Sequence, residues 1–180
     1  MIAFYEQNRE TLYIIGQIMS LSGPVIGFFV FYSKTRKQIL TAKLCLDIMN
    51  VVQQILVGMF TGSLICCIMV FREIVFYYRD RKKWASHGLW LPVFLVLTML
   101  APVFSWEGPV SLLPTVGSVI SVFSFYSLNP SRTRFIGIFA HSFWLVYTIV
   151  KPNIGGIIAN VVQISAAIAG LIRDRKATAK

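Results

Sequence analysis

Phe31-Tyr32-Ser33 occurs again as Phe125-Tyr126-Ser127, an offset of 125 − 31 = 94. Arg79-Asp80-Arg81-Lys82 recurs as Arg173-Asp174-Arg175-Lys176, and 173 − 79 is again 94. The same offset pairs Gly23 with Gly117 and Gly62 with Gly156. Short aromatic and basic strings recur by chance in many chains. Two matches far apart at a single offset point instead to an internal duplication.

Composition says what kind of unit is duplicated. The chain has 180 residues, of which 56% are apolar and only 13% charged. A soluble domain carries about a quarter charged residues. Long apolar runs separated by short basic clusters indicate an all-α, multi-pass membrane protein. The formal net charge of +10 resides in those clusters. There it sets topology and meets anionic lipid; it does not suggest nucleic acid as a partner. Cys45, Cys66 and Cys67 lie within apolar runs, without Cys-X-X-Cys or Cys/His ligand spacing. They read as small buried hydrophobes, so no disulfide, metal or other cofactor is expected. Glu6, Arg9 and Glu10 precede the first apolar run. That is unlike the basic start of a cleaved signal peptide, so the first helix is expected to stay.

Seven membrane helices are expected, over about residues 11–32, 38–55, 58–78, 89–104, 110–127, 133–150 and 154–172. Gly23-Pro24 should kink the first, because proline removes a backbone hydrogen bond. Gly58 and Gly62 have Gly-x-x-x-Gly spacing, which on an exposed face would permit close helix approach and a homodimer. Trp84, Trp90 and Trp106 flank the fourth helix as interfacial anchors. With the N-terminus outside, Lys34, Arg36, Lys37, Arg79, Arg81, Lys82, Lys83, Arg132, Arg134, Arg173, Arg175, Lys176 and Lys180 all fall on the cytoplasmic side. Only Arg9 and Lys151 fall outside. This positive-inside bias supports an N-out, C-in topology, and it would fail for one helix more or fewer.

The expected organisation is therefore one membrane domain, 1–180. A three-helix repeat over 11–83 is joined by a linker helix, 88–104, to a second repeat over 110–176. An odd number of helices per repeat plus one linker makes the two repeats parallel, related by an axis along the membrane normal. This 3+1+3 plan resembles that of the SWEET sugar transporters and the PnuC-type vitamin transporters.

The second half carries a closer resemblance. Val110-Ser-Leu-Leu-Pro114-Thr-Val-Gly117-Ser118, then Arg134, Trp144 and Ile154-Gly155-Gly156, resembles the YgjV family of bacterial inner-membrane proteins. Gly62 and Arg72 fit the same pattern, and the resemblance covers about residues 11–175. It implies a fold and the bacterial inner membrane as location. The chain departs from the family pattern at Thr148, where Asn is common, and at Asn160, where an acidic residue is common. SWEET-like carriers use prolines on four helices as hinges. Here only Pro24 and Pro114 serve, and helices two and six have none.

Polar groups deep in membrane helices are costly and mark cavities or helix contacts. Asp47, Asn50 and Gln54 share one face of the second helix. Adding 94 gives His141, Trp144 and Thr148, one face of the sixth. Asn160 and Gln163 share a face of the seventh. Asp47 lies about nine residues into its helix, roughly 14 Å at 1.5 Å per residue. That is near the middle of a hydrocarbon core about 30 Å thick.

The expected function is transport of a small polar solute such as a sugar, nucleoside or vitamin, by a facilitator or a proton-coupled carrier. Asp47, Asn50, His141, Trp144, Tyr147, Asn160 and Gln163 would form the pocket. His141 would be able to titrate, and Trp144 with Tyr147 would stack on a ring. Gly23, Pro24, Arg72 and Gly117 are the expected hinge or gate positions. Arg72, with Glu73 adjacent and facing elsewhere, could also snorkel to phosphate headgroups. Lys43 precedes Asp47 by four residues, so a plain intrahelical ion pair competes with the pocket reading. An enzyme is not expected, since neither His-Glu-x-x-His nor Gly-x-Ser-x-Gly occurs. The alternative to a transporter is a structural or assembly subunit of the membrane.

Overall fold

A computed structural model of the chain describes residues 7–178. Helices α1 (Arg9–Ser20), α2 (Gly23–Tyr32), α3 (Arg36–Leu56), α4 (Phe60–Tyr78) and α5 (Trp90–Phe104) come first. A single 3-10 turn, Pro109–Ser111, then leads into α6 (Leu112–Tyr126), α7 (Pro130–Val150) and α8 (Ile154–Thr178). No strand occurs among the described residues.

The helix ends follow local chemistry. Thr35 caps α3 with a reciprocal box, its Oγ1 accepting from Gln38 N and its own N donating to Gln38 Oε1, each at 3.3 Å. Asn129 caps α7, its Oδ1 accepting from Ser131 N at 2.9 Å. Gly58 stops α3 at φ +76°, a left-handed conformation that glycine adopts at no steric cost. The offset of 94 reappears in these bounds. It separates the ends of α2 and α6 (Tyr32, Tyr126), the caps Thr35 and Asn129, both ends of α3 and α7, and the starts of α4 and α8.

Among the described residues, six segments are long and apolar enough to cross a bilayer: Arg9–Tyr32, Arg36–Leu56, Phe60–Tyr78, Pro109–Tyr126, Pro130–Val150 and Ile154–Lys176. The first comprises α1 and α2, broken at Leu21-Ser22 just before Gly23-Pro24. Pro24 sits in the first turn of α2, where its missing N–H costs little. The expected fourth span is shorter. At 15 residues α5 reaches about 22 Å at 1.5 Å per residue, less than a typical hydrocarbon core.

The long helices form a ring. Going round it, α1 and α2 pack on α3, α3 on α4, α4 on α6, α6 on α7, α7 on α8, and α8 back on α2 and α1. Helix α5 lies outside the ring against α4 and α6. Apolar side chains such as Ile14, Val25, Phe71, Phe104, Phe135 and Val161 face outward, as they do where lipid is the solvent. Inside, Phe31, Phe76, Val122 and Phe125 fill the end that carries the arginine clusters, and Phe94 of α5 packs on Phe76 from outside the ring. Met59, Ile65, Cys66, Trp144 and Tyr147 fill the other end.

The Gly-x-x-x-Gly reading is corrected. Gly58 lies in the turn before α4, outside any helix. Gly62 is buried, and a Cβ there would stand 1.9 Å from Gln54 Oε1. These two glycines present no exposed face to a second copy.

Candidate functional site

A polar cavity of about 50 Å³ lies inside the ring. It is lined by Lys43, Asp47, Asn50, Gln53 and Gln54 from α3, and by Cys66 and Met69 from α4. His141, Trp144 and Thr148 of α7 complete it, with Asn153, Gly156, Asn160 and Gln163 at and along α8. A larger open hollow of about 650 Å³ sits at the end away from the arginine clusters, between Arg9, Tyr13, Gly58, Met59, Lys151 and Pro152. Met59 faces this hollow and Asn153 faces the cavity. The two touch, Asn153 Nδ2 lying 3.5 Å from Met59 Sδ, and they too are 153 − 59 = 94 residues apart.

Hydrogen bonds fix the orientation of several lining groups. Gly156 N donates to Asn153 Oδ1 at 3.0 Å, which turns Nδ2 toward Gln53 Oε1, 3.4 Å away. Gln53 therefore presents its Nε2 donor. Asn160 Nδ2 donates to the Gly156 carbonyl oxygen at 2.8 Å, so Oδ1 is the atom 2.9 Å from His141 Nδ1. His141 then donates through Nδ1. The Phe31 ring packs edge-on against the imidazole at 5.2 Å.

Lys43 Nζ donates to Asp47 Oδ1 within α3. Both side chains are buried, and each charge meets the other at contact distance. Asp47 Oδ2 is left without a hydrogen-bond partner, as are Gln53 Nε2, Gln54 Oε1 and Gln163 Oε1. Buried polar atoms are nearly always satisfied. Four such atoms surround this one cavity.

Of the residues singled out from sequence, Asp47, Asn50, His141, Trp144, Asn160 and Gln163 line this cavity together. Tyr147 does not. It is fully buried beside it, its ring 5.8 Å from Trp144 and against Gly62, so it is not available to stack on a guest. Its position on α7 turns it toward α4. Arg72 also lies elsewhere, and here two expectations are corrected. It does not reach toward headgroups, being 1% exposed. It also pairs with Glu73, Nε to Oε1 at 3.2 Å, because an arginine is long enough to fold back on its neighbour. Its Nη1 reaches Ser121 Oγ of α6 at 2.7 Å, and its guanidinium lies 5.0 Å from the Phe125 ring. Gly117 lets α6 approach α7: an added Cβ would meet the Ala140 carbonyl oxygen at 2.8 Å. Gly23 is less confined, its nearest neighbours Ala159 and Met49 at 3.6 Å.

The family model described as Imp-YgjV, bacterial inner membrane protein, matches residues 14–178. The chain belongs to the Imp-YgjV family. No curated protein and no solved structure matches it. Membership of the Imp-YgjV family, together with the apolar spans, makes it a multi-pass protein of the bacterial inner membrane.

Sequence reasoning gave no role to Gln53 or Asn153, which orient each other. Asn153 had a signal: it stands 94 residues after Met59, at the mouth of the same turn. Gln53 had one too: it stands 147 − 53 = 94 residues before Tyr147, a position already singled out for the pocket.

Proposed function

We propose that this Imp-YgjV protein is a transporter for a small polar solute, built from two parallel three-helix repeats joined by α5. The repeats are α1–α4 and α6–α8, with the N-terminus outside and the arginine clusters at the cytoplasmic end. The two would rock against each other about the central cavity.

One observation carries this reading. Five pairs of lining residues are each 94 apart: Asp47 and His141, Asn50 and Trp144, Gln54 and Thr148, Cys66 and Asn160, Met69 and Gln163. A cavity lined by equivalent positions straddles the axis that relates two repeats, which is where repeat-built carriers bind solute. The ring packing supports the same axis: α2 on α8 and α6 on α4 exchange under it.

The lining favours an uncharged solute. Lys43 cancels Asp47, and His141 donates to an amide without a charged partner. What remains is a mixture of acceptors and a donor, suited to hydroxyl or amide groups. The present volume of about 50 Å³ is small: liquid water occupies about 30 Å³ per molecule. The described conformation is therefore closed, and loading a metabolite requires the helices to part.

Proteoliposomes would be screened for binding and uptake of sugars, nucleosides, vitamins and amino acids, with Asp47→Asn and Asn160→Ala as controls. A solute moved by the parent protein and lost in both variants is the expected result. No solute bound or moved by folded protein would sink the carrier reading in favour of a structural subunit.

A further inference from the structure

The two recurring strings bind each other crosswise. Arg79 of the first basic string donates from Nη1 to the Tyr126 carbonyl oxygen at 2.5 Å, its guanidinium 3.7 Å from the Tyr126 ring. Arg173 of the second donates to the Tyr32 carbonyl oxygen at 2.8 Å, 5.0 Å from the Tyr32 ring. Both arginines and both tyrosines are 94 residues apart.

A second pair of arginines repeats the theme. Arg36 pairs with Asp80 at 2.9 Å and donates to the Ser127 carbonyl oxygen at 3.4 Å. Arg134 pairs with Asp174 and donates to the Ser33 carbonyl oxygen at 2.6 Å. Arg36 and Arg134 are not at equivalent positions, yet their partners are.

The acceptors are the last carbonyls of α2 and α6 and those just beyond them. A helix leaves these groups unpaired and negatively polarised. Here an arginine from the other half of the chain supplies each missing donor. All four arginines therefore join residues 11–83 to residues 110–176, and all sit at one end of the ring. We infer that this crossed clasp is the gate that shuts the central cavity at its arginine-rich end.

Its chemistry suits a reversible closure. Asp80 is 47% exposed and Asp174 28%, so water stands ready to replace the protein partners as the clasp parts. The apolar contacts deeper in the ring have no such substitute. At the opposite end Met59 and Asn153, joined to Gln53, stand between the cavity and the open hollow. The cavity thus leans toward that hollow, and the clasp is what must release for it to open the other way.

The gate presupposes a cavity that opens, but its test needs no solute. Cys66 lines the cavity. With Cys45→Ser and Cys67→Ser in place it becomes the single thiol. Its modification by a membrane-impermeant thiol reagent is timed in inside-out and right-side-out vesicles. Arg79→Gln with Arg173→Gln should raise the rate from the arginine-rich side about tenfold, the change that ~1.4 kcal/mol of closed-state preference brings. The rate from the other side should stay level or fall. Asp80→Asn with Asp174→Asn is the second variant, weakening the same ion pairs while leaving all four arginines in place. Its rate should rise on the same side.

An unchanged rate in both variants, or an equal rise from both sides, overturns the gate. If Cys66 opens as expected while no solute is ever transported, the gate stands and the carrier reading falls.

Discussion

The arginine-rich end and the central cavity are both built from positions 94 apart, yet they treat those positions differently. At the end, most of the residues themselves are repeated: Tyr with Tyr, Ser with Ser, Asp with Asp and Arg79 with Arg173, while Arg36 and Arg134 stand at unequal positions. In the cavity the positions are repeated but the residues are not, as Asp47 opposite His141 and Cys66 opposite Asn160 illustrate. The difference has a physical reason. Each copy of the clasp does one job, supplying donors to an unpaired helix terminus, and the same residues do it best twice. A solute lying on a pseudo-symmetry axis is not itself symmetric, so the two walls around it are free to differ. Identity at the end fits a shared mechanical task, and divergence in the cavity fits the solute recognition proposed above.

The comparison breaks most visibly at Arg134, which is 1% exposed. Arg134→Ala leaves Asp174 and the carbonyls of Phe31 and Ser33 without this donor. Losing hydrogen bonds from a charged group costs ~1.5–3 kcal/mol each. The expected outcome is a large fall in thermal midpoint in detergent. Leu40→Ala, at the position 94 residues earlier, lacks the polar part of that loss, and an equal fall in both would place Arg134 among ordinary core residues.

Next comes the buried pair in the cavity. Lys43→Met alone strands the Asp47 carboxylate and is expected to cost ~3 kcal/mol, whereas Lys43→Met with Asp47→Leu should recover most of it. Denaturation in detergent reads the stability, and uptake reads the function. A double variant that regains both stability and transport would reduce the pair to an internal strut.

The caps sharpen the comparison at smaller scale. Thr35→Ala and Asn129→Ala should each cost ~1 kcal/mol, and by similar amounts, because both begin 21-residue helices at equivalent points. A cost at one cap alone would separate the two halves energetically. The smallest expected stability effect is that of Asn160→Ala, near the ~0.6 kcal/mol typical of hydrogen bonds between membrane helices. Solute binding should fall far more steeply than stability. Proportionate small changes in both would make Asn160 glue between α7 and α8.

Much of this architecture is legible in the sequence because it depends on spacing. The helical period places Asp47, Asn50 and Gln54 on one face, and the offset carries that face to His141, Trp144 and Thr148. The clasp is foreshadowed too, since its partners are the very strings that repeat. What spacing does not show is how far a side chain reaches and which neighbour it meets. Arg72 folds back onto Glu73, which a face-counting argument forbids. Tyr147 is one helical turn from Trp144 yet packs against α4 beside Gly62, because the lining stripe on α7 is narrow. Gly58 belongs to a turn, where φ +76° decides its role, and no pairwise motif encodes a dihedral angle. The apolar run of α5 likewise gives composition but not depth, and at 15 residues it is shorter than its neighbours in the ring.

The crossed capping of helix ends also orders events during synthesis. The α2 terminus is complete once Tyr32 has been made, but its donor Arg173 is added 141 residues later. Arg134, which holds the neighbouring carbonyl of Phe31, follows it by 103 residues. The first half of the chain therefore enters the membrane with this helix end open, and only the last turns of α8 close it. Nascent chains truncated before Arg173 lack that closure, so the two halves reach their final strength together only once this part of α8 has been made.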